Sequence, residues 1–183
     1  MDLRRAVFLD RDGTIIEEKH YLHRIEDVMI FPGAGRALAA LQRAGLRLFM
    51  VSNQSGVGRG YFSLDDVRKV NDHLLQQLAR DHVHFEKIYI APEAPDAPSR
   101  GRKPSPQFLF DARDEFRLDL ARSFMIGDKL IDLECGWNAG VQRCLLVRTG
   151  YGAQLAREAA SQLARATVVD DLEAAASCIL GNP

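Results

Sequence analysis

The sequence predicts an α/β protein with a doubly wound, mostly parallel sheet and helices on both faces, as in a Rossmann-like fold. Short β-branched and aromatic runs of strand length alternate along the chain with segments whose apolar residues recur at helical spacing. The length of 183 residues favours a single domain over 1–183. Ligands of such sheets bind outside the carboxyl ends of the strands, so the residues that follow each strand are the candidates for a site.

The first half of the chain is predicted to supply three strands and two helices. Strands are predicted over RAVFLD (5–10), LRLFMVS (46–52) and FEKIYIA (85–91), because each is a short and mainly apolar run. GRALAALQRAG (35–45) predicts a helix that is closed by Gly45. SLDDVRKVNDHLLQQLAR (63–80) predicts another, with Ser63 and Asp66 forming a capping box at its start.

The second half continues the alternation. SPQFLFDARDEF (105–116) predicts a helix with Ser105 as its cap and Pro106 at its first position. Further strands are predicted over SFMIGD (123–128), QRCLLVRTG (142–150) and ATVVD (166–170). Further helices are predicted over LIDLECGWNAG (130–140), QLAREAASQLAR (154–165) and LEAAASCIL (172–180).

The composition excludes several classes of protein. With 24 basic and 25 acidic residues the formal net charge is −1, which does not suggest a general binder of nucleic acid or membranes. Three scattered cysteines argue against a disulfide framework and against a thiolate zinc site. The apolar run before Asp10 is too short for a signal peptide or a spanning helix. We therefore expect a cytoplasmic protein that is a monomer or a small homo-oligomer.

Polar and charged residues follow four of the predicted strands. They are Asp10 and Asp12 after the first strand, Ser52 and Asn53 after the second, Arg102 and Lys103 in the loop after the third, and Asp128 and Lys129 after the fourth, with Asp132 further on. Each set alone is weak evidence, because such residues are common in turns and helix caps. Together, at the edge of the sheet where ligands bind, they predict one site.

The residue types indicate phosphate chemistry. The carboxylates of Asp10, Asp12 and Asp128 form a hard oxygen site that suits Mg²⁺ with waters and a substrate phosphate. Ser52 and Lys103 supply a hydroxyl and a fixed cation for the phosphoryl oxygens. With these charges neutralised, Asp10 can attack phosphorus and form an aspartyl phosphate. Asp12 is then placed to protonate the leaving alcohol and later to take a proton from water.

FLDRDGT, VSNQSG, RKP and IGDK resemble, in order, the four motifs of the haloacid-dehalogenase-type (HAD) phosphatases, from about Ala6 to Gly150. The finer resemblance is to a capless branch that contains heptose bisphosphate and histidinol phosphatases. It implies a fold without a cap domain, which agrees with the short connections after the first two motifs. It implies hydrolysis of D-glycero-D-manno-heptose 1,7-bisphosphate at the 7-phosphate, with histidinol phosphate or another small phosphometabolite as the alternative.

The resemblance also implies roles for individual residues. It makes Asp10 the nucleophile, Asp12 the acid and base, and Asp128 the residue that completes the Mg²⁺ site. The residues that it places against the substrate or its phosphoryl group are Ser52, Asn53, Arg102, Lys103, Lys129, Arg59 and, in the loop after the first motif (18–21), His20 and Tyr21.

The sequence departs from the family in the loop before Arg102. That loop usually carries cysteines and a histidine that bind structural zinc, and here Ala91-Pro92-Glu93 and Ser99-Arg100-Gly101 stand at those places. We therefore expect no zinc, and we expect the prolines and packing to hold the loop.

The residues also bear on two other functions. GVGRG (56–60) lacks the spacing and the strand context of a dinucleotide-binding loop. A receiver-like phosphorylation switch shares the sheet, the aspartyl phosphate, Mg²⁺ and a lysine, so it remains an alternative. It expects the phosphorylated aspartate after a later strand, whereas the third strand here ends in IAPEAP.

Overall fold

The computed structural model describes residues 3–181 and contains a six-stranded sheet in the order β3-β2-β1-β4-β5-β6, with every neighbouring pair parallel. This confirms the predicted fold class. The first two and last two residues of the predicted domain lie outside the described residues. The strands are β1 (Ala6–Leu9), β2 (Arg47–Asn53), β3 (Phe85–Ala91), β4 (Phe124–Gly127), β5 (Arg143–Val147) and β6 (Ala166–Val169).

Within residues 3–181, seven α-helices accompany the sheet: α1 (Ala34–Arg43), α2 (Ser55–Gly58), α3 (Leu64–Leu78), α4 (Gln107–Phe116), α5 (Leu130–Ala139), α6 (Gly152–Glu158) and α7 (Leu172–Leu180). The connection from β1 to α1 holds a loop with a 3-10 turn at Ile25–Asp27, and the connection from β2 to α3 holds only the one-turn helix α2. Within residues 3–181, no helix combines the length and the apolar character needed to cross a membrane.

The core lies on both faces of the sheet because successive strand residues point to opposite sides. Val7 and Leu9 of β1 face one cluster, which also contains buried residues of α1, α3 and α7. Ala6 and Phe8 face the other, which contains buried residues of α4 and α5. The strands are therefore covered on both faces, which explains why their sequences are continuously apolar rather than alternating.

Two predicted helices differ in the structure. α4 begins at Gln107 with Pro106 as its cap residue, one position later than predicted, although the Ser105 hydroxyl still accepts a hydrogen bond from the Gln107 N–H (3.3 Å). The helix predicted over 154–165 ends at Glu158 and continues as a 3-10 turn at Ala160–Leu163. No glycine or proline marks this break in the sequence, and the turn that follows buries Leu163 in the core before β6.

The strand order fixes where a ligand can bind. From β1 in the middle of the sheet, the chain builds β2 and β3 on one side and then crosses to build β4, β5 and β6 on the other. The connections that leave β1 and β4 therefore diverge and open a crevice at the carboxyl ends of these two strands. Asp10 and Asp128, which directly follow β1 and β4, stand at this crevice.

The start of α3 provides a test of the local fold. The Ser63 hydroxyl accepts the Asp66 N–H (3.1 Å) and the Asp66 carboxylate accepts the Ser63 N–H (2.9 Å), so the predicted capping box is confirmed. We expect Ser63→Ala to lower the free energy of unfolding by about 1 kcal/mol, because it leaves an N–H of the first turn without its partner. Urea unfolding measures the change, with Ser161→Ala at another exposed serine as the control. Equal midpoints for the wild type and Ser63→Ala would contradict the role of the cap.

Candidate active site

The centre of the crevice is an ammonium group held between two carboxylates. Lys103 Nζ lies 2.7 Å from Asp10 Oδ1 and 2.6 Å from Asp132 Oδ1, and all three side chains are buried. Burial opposes the charge of Lys103, but the two carboxylates outweigh it and raise the pKa of Lys103 above its ordinary value. Lys103 therefore stays charged and neutralises part of the negative charge at the end of β1.

Asp132, in the first turn of α5, ties this ion pair to the helix. Its Oδ2 accepts the backbone N–H of Lys129 (3.0 Å), while Oδ1 faces Lys103. Burial raises the pKa of Asp132, and the charge of Lys103 works against that shift. Asp132 thus positions the lysine as well as adding to the charge of the site.

Asp128 has one carboxylate oxygen without a hydrogen-bond partner among the described residues. Its Oδ2 accepts the Tyr151 N–H (2.9 Å), whereas Oδ1 is buried and has no hydrogen-bond partner among residues 3–181. Burial, and then the charge of Asp10, raise the pKa of Asp128 to about 8. A buried carboxylate with an unpartnered oxygen is suited to bind a cation, because the cation would give Oδ1 the partner that it lacks.

Two glycines enclose the Asp128 carboxylate. Gly13 has φ 82° and Gly150 has φ 55°, and a Cβ atom added to either would lie 2.2 Å from Asp128 Oδ2. The Thr149 hydroxyl donates to the Gly13 carbonyl (2.6 Å) and so joins the loop after β1 to the loop after β5. Both loops need glycine here, because the backbone conformation and the close approach exclude a side chain.

Asp12 has different partners from the other acids. Its carboxylate accepts two hydrogen bonds from Arg11, at 3.0 Å each, and one from Gln54 Nε2 at 2.9 Å. Gln54 also donates to the Ser52 hydroxyl (2.7 Å), so Ser52 and Asp12 share one amide. Ser52 is buried and accepts in this contact, which leaves its own O–H proton available to donate.

Asn53 holds the backbone of the loop at Lys103. Its side chain accepts the Lys103 N–H (3.0 Å) and donates to the Lys103 carbonyl (3.1 Å). Both functions of the amide are engaged by the Lys103 backbone, so Asn53 positions Lys103, although it also lines the cavity described next.

A cavity of about 450 Å³ opens above these residues. Lys129 lies on one side, with its Nζ 2.8 Å from Glu18 Oε2 and 4.7 Å from the centre of the Tyr151 ring. The surrounding carboxylates, Asp10 foremost, outweigh burial and raise the pKa of Lys129. His20 and Tyr21 line the cavity from the loop after the first motif.

Tyr21 has φ 63°, a conformation that is uncommon for a residue with a side chain. Its ring makes edge contacts with His20 and Tyr61, with centroids at 4.5 and 4.9 Å. His23 Nδ1 lies 2.9 Å from the Tyr21 carbonyl. These contacts hold the ring against the cavity, and backbone strain of this kind is found most often at functional sites.

Arg102 and Arg59 lie beside the cavity rather than among the residues that line it. Partial burial and the neighbouring charge of Arg59 lower the pKa of Arg102, and Glu93 works against that shift. The Ser99 hydroxyl donates to Glu93 Oε2 (2.7 Å) and accepts the Arg102 N–H (3.2 Å), while Arg102 NH1 donates to the Glu93 carbonyl (3.2 Å). We call these contacts of Glu93, Ser99 and Arg102 the Glu93 clip.

Among the described residues, one group of carboxylates could share a metal ion: Asp10, Asp128 and Asp132, whose ligand oxygens lie within 4.8 Å of one another. The set predicted from sequence contains Asp12 as its third carboxylate, whereas the group in the structure contains Asp132. The reason is that Arg11 and Gln54 engage the Asp12 carboxylate, while α5 turns Asp132 toward Lys103. Hard oxygen ligands and an unpartnered buried oxygen suit Mg²⁺.

The structure brings together at the cavity most of the residues predicted from sequence, namely Asp10, Asp12, His20, Tyr21, Asn53, Lys103 and Lys129. Ser52 and Asp128 are buried and do not line it, and Arg59 and Arg102 lie beside it. Arg11, Glu18 and Gln54 have no role predicted from sequence, although each belongs to one of the predicted motifs or to the loop after the first motif. The signal that could have found Asp132 is its spacing, one helical turn after Asp128.

A family model described as HAD-hydrolase-like matches residues 101–175. The D-glycero-D-manno-heptose-1,7-bisphosphate 7-phosphatase of Chlorobaculum tepidum is 39% identical, over 100% of this chain and 98% of its own length. The D-glycero-beta-D-manno-heptose-1,7-bisphosphate 7-phosphatase of Photorhabdus laumondii is 38% identical, over 86% of this chain and 88% of its own.

A solved structure that resembles this chain is also a heptose bisphosphate phosphatase. The D,D-heptose 1,7-bisphosphate phosphatase of B. bronchiseptica, complexed with magnesium and phosphate, matches 98% of this chain and 99% of its own with a TM-score of 0.89 at 29% identity. The likeness therefore covers the sheet, the helices and the loops that carry the acidic cluster.

The raised pKa of Asp128 predicts a pH dependence of stability. A carboxyl that keeps its proton up to about pH 8 when folded, but only to its ordinary 3.8 when unfolded, makes the free energy of unfolding fall as the pH rises between these values. For metal-free protein in EDTA we expect a fall of roughly a few kcal/mol from pH 5 to pH 8.

The variant Asp128→Asn should lose most of this dependence, because its side chain does not titrate. The control Asp96→Asn, at an exposed loop position, should keep the wild-type slope. Urea unfolding at several pH values provides the measurement, and identical slopes for Asp128→Asn and the wild type would refute the assignment.

Proposed function

The chain belongs to the family of the D-glycero-D-manno-heptose-1,7-bisphosphate 7-phosphatases, within the HAD-like hydrolases, and from that premise we propose that it removes the 7-phosphate of this sugar through phospho-Asp10. The protein is a phosphatase, as its relatives are. The alternative of a phosphorylation switch has no support among these relatives. Histidinol phosphate is the second candidate substrate, on sequence resemblance alone.

One observation carries the proposed mechanism. Asp10 lines the cavity, and only one of its two oxygens is taken by Lys103, which lies 2.7 Å from Oδ1. The other oxygen, Oδ2, is left to approach phosphorus. The buried cation beside it reduces the repulsion between the carboxylate and an incoming phosphoryl group.

Asp10 and Asp128 would hold Mg²⁺, with Asp132 supporting the site from behind through Lys103. Mg²⁺ is commonly bound by one or two carboxylates together with waters and a substrate phosphate, so two acids suffice. The relative from B. bronchiseptica was solved with magnesium and phosphate, which supports this assignment. When bound, the ion neutralises the charge that develops on the phosphoryl oxygens.

In the first step Asp10 Oδ2 forms a bond to phosphorus and the bond to the sugar oxygen breaks. Asp12 gives its proton to that oxygen, so the sugar leaves as a neutral alcohol. Lys103 stays charged throughout and holds the orientation of Asp10. The Ser52 hydroxyl, which has a proton to donate, is proposed to bind a phosphoryl oxygen.

In the second step a water attacks phosphorus and passes a proton to Asp12. The bond between phosphorus and Asp10 breaks, phosphate leaves, and both aspartates return to their starting states. One carboxyl thus serves as acid in the first step and as base in the second, which balances the protons over a turnover.

We propose the following placement for a sugar with two phosphates. One phosphoryl group reaches Asp10, and the hydroxyls of the sugar meet Lys129, His20 and Tyr21. Arg59 and Arg102 beside the cavity are proposed to bind the second phosphate, since guanidinium groups pair well with phosphate oxygens.

The proposed setting is the cytoplasm. Cys135, Cys144 and Cys178 are all free thiols, which suits a reducing compartment. The formal net charge of −1 favours a small phosphorylated sugar over nucleic acid as the substrate. The proposed assembly is a monomer or a small homo-oligomer.

Phosphate release from a panel of substrates tests the function. We expect kcat/KM for D-glycero-D-manno-heptose 1,7-bisphosphate to exceed that for histidinol phosphate by roughly 10–100-fold, because only the bisphosphate can use charge-assisted hydrogen bonds to the second phosphate. Both anomers of the sugar belong in the panel. A higher kcat/KM for histidinol phosphate would overturn the substrate assignment but leave the phosphatase assignment in place.

The control for this panel is Asp10→Asn, which should lose phosphate release by more than roughly 10⁴-fold, because the nucleophile is gone. Near-full release by this variant would contradict the role of Asp10.

We also propose that the loop from Pro92 to Arg102 works without zinc, because the Glu93 clip holds it through polar contacts. Purified protein should contain zinc far below one equivalent by metal analysis. Ser99→Ala should raise KM for the sugar bisphosphate by roughly 2–12-fold with little change in kcat, since one hydrogen bond that places Arg102 is lost.

The control is Ser105→Ala, at a serine just beyond this loop whose hydroxyl bonds the Arg100 carbonyl and the Gln107 N–H but takes no part in the Glu93 clip. It should keep the wild-type KM. Stoichiometric zinc in the purified protein would show that the loop is held by metal instead.

A further inference from the structure

We propose that Arg11 is a positioning residue for Asp12 and that Asn71 of α3 anchors it, so that helix α3 takes part in aiming the proton donor. The inference rests on the proposed function, because it concerns the proton transfers that Asp12 performs there. The observation behind it is the complete burial of Arg11, which is the largest of the fully buried side chains among residues 3–181.

The contact between Arg11 and Asp12 is a two-pronged fork. Arg11 Nε donates to Asp12 Oδ2 and Arg11 NH2 donates to Oδ1, both at 3.0 Å. Two parallel bonds fix the plane of the carboxylate as well as its position, which a single bond to a lysine or an amide would not do. Gln54 adds a third bond on Oδ2.

Arg11 acts through Asp12 rather than on the substrate. Its side chain is 1% exposed and does not line the cavity, whereas the Asp12 side chain is 14% exposed and does. The charged head thus lies behind the carboxylate, on the side away from the cavity. Burial of a charge at this place is costly unless it is paired, and Asp12 is the partner that the structure gives it.

Asn71 completes the arrangement from the far side. Its Oδ1 accepts Arg11 NH1 at 2.9 Å, and Asn71 itself is buried in the middle of α3. The guanidinium is therefore held at one end by a helix and at the other by the carboxylate. A polar side chain on the buried face of α3 is explained by this contact, because the neighbouring buried positions of the helix are apolar.

The fork matters for the reaction because proton transfer depends on geometry. Asp12 has to deliver a proton to the leaving oxygen and then take one from water at nearly the same point. A carboxylate that can rotate about its side-chain bonds would spend most of its time away from that point. Misplacement by about 1 Å can cost roughly 10²-fold in rate.

The test compares two leaving groups. An alkyl phosphate needs a proton on its leaving oxygen, whereas p-nitrophenyl phosphate does not, because its phenolate is a good leaving group. In pre-steady-state measurements on the Mg²⁺-loaded enzyme, we expect Arg11→Met to slow alcohol release from the alkyl phosphate by roughly 10²-fold. Release of p-nitrophenol should fall less than about threefold, and KM should change little.

Further variants separate this role from a structural one. Arg11→Lys should not restore the rate, because a lysine cannot form the fork. Asn71→Leu should show the same leaving-group dependence at a smaller size, and it serves as the test if Arg11→Met does not fold. In an Asp12→Asn background, Arg11→Met should cause no further loss. The control is Arg47→Met, which removes an ion-paired arginine at the first residue of β2, at the opposite edge of the sheet from the site. It should keep wild-type rates.

Equal losses with both leaving groups, or a full extra loss in the Asp12→Asn background, would overturn the inference. So would wild-type rates in both Arg11→Met and Asn71→Leu. A wild-type enzyme that released no phosphate from any phosphomonoester would instead contradict the proposed function. The two failures are therefore distinguishable.

Discussion

The site is organised by the charge of one buried ammonium group. Asp10, Asp128 and Asp132 crowd their carboxylates within 4.8 Å at the carboxyl end of the sheet, and Lys103 is the cation that contacts two of them. Without it, acids this close and this buried would retain protons, as the raised pKa of Asp128 illustrates. Lys103 lies beside Asp10 and orients its carboxylate, and an oriented carboxylate can act as a nucleophile.

Much of the surrounding structure serves to hold that lysine in place. Lys103 lies in a loop with no regular secondary structure, so its position depends on side chains from other elements. Asn53 at the end of β2 grips its backbone, Asp132 in α5 faces its ammonium group, and the Glu93 clip holds the chain just before it. The divergence of the chain at β1 and β4 brings these elements to one crevice.

The sequence was sufficient for the fold class and for most of the site, because both follow from periodicity and from the rule that ligands bind at strand ends. Asp10, Lys103 and Asp128 could be placed by that rule alone. It could not tell which acids would share a metal, since the direction of a side chain such as Asp12 or Asp132 depends on tertiary partners. Contacts between segments that are distant in sequence leave no pattern in the local sequence from which they could be predicted.

Arg11 illustrates the same limit. It lies inside the first motif, between two acids with assigned roles, and nothing in its local sequence indicates that it is buried. Its burial depends on Asn71, which is 60 positions away. The break after α6 is a further case, since no glycine or proline precedes it and the burial of Leu163 becomes visible only in the folded chain.

The central claim is that the phosphoryl group passes through Asp10. The most direct measurement is mass spectrometry of peptides from enzyme that is quenched in acid during turnover of the sugar bisphosphate. The account predicts one phosphorylated peptide that contains Asp10, with the modification on that residue and its disappearance once substrate is exhausted. A phosphoryl group on another residue, or an unmodified Asp10 under conditions that trap acyl phosphates while phosphate is released, would contradict it.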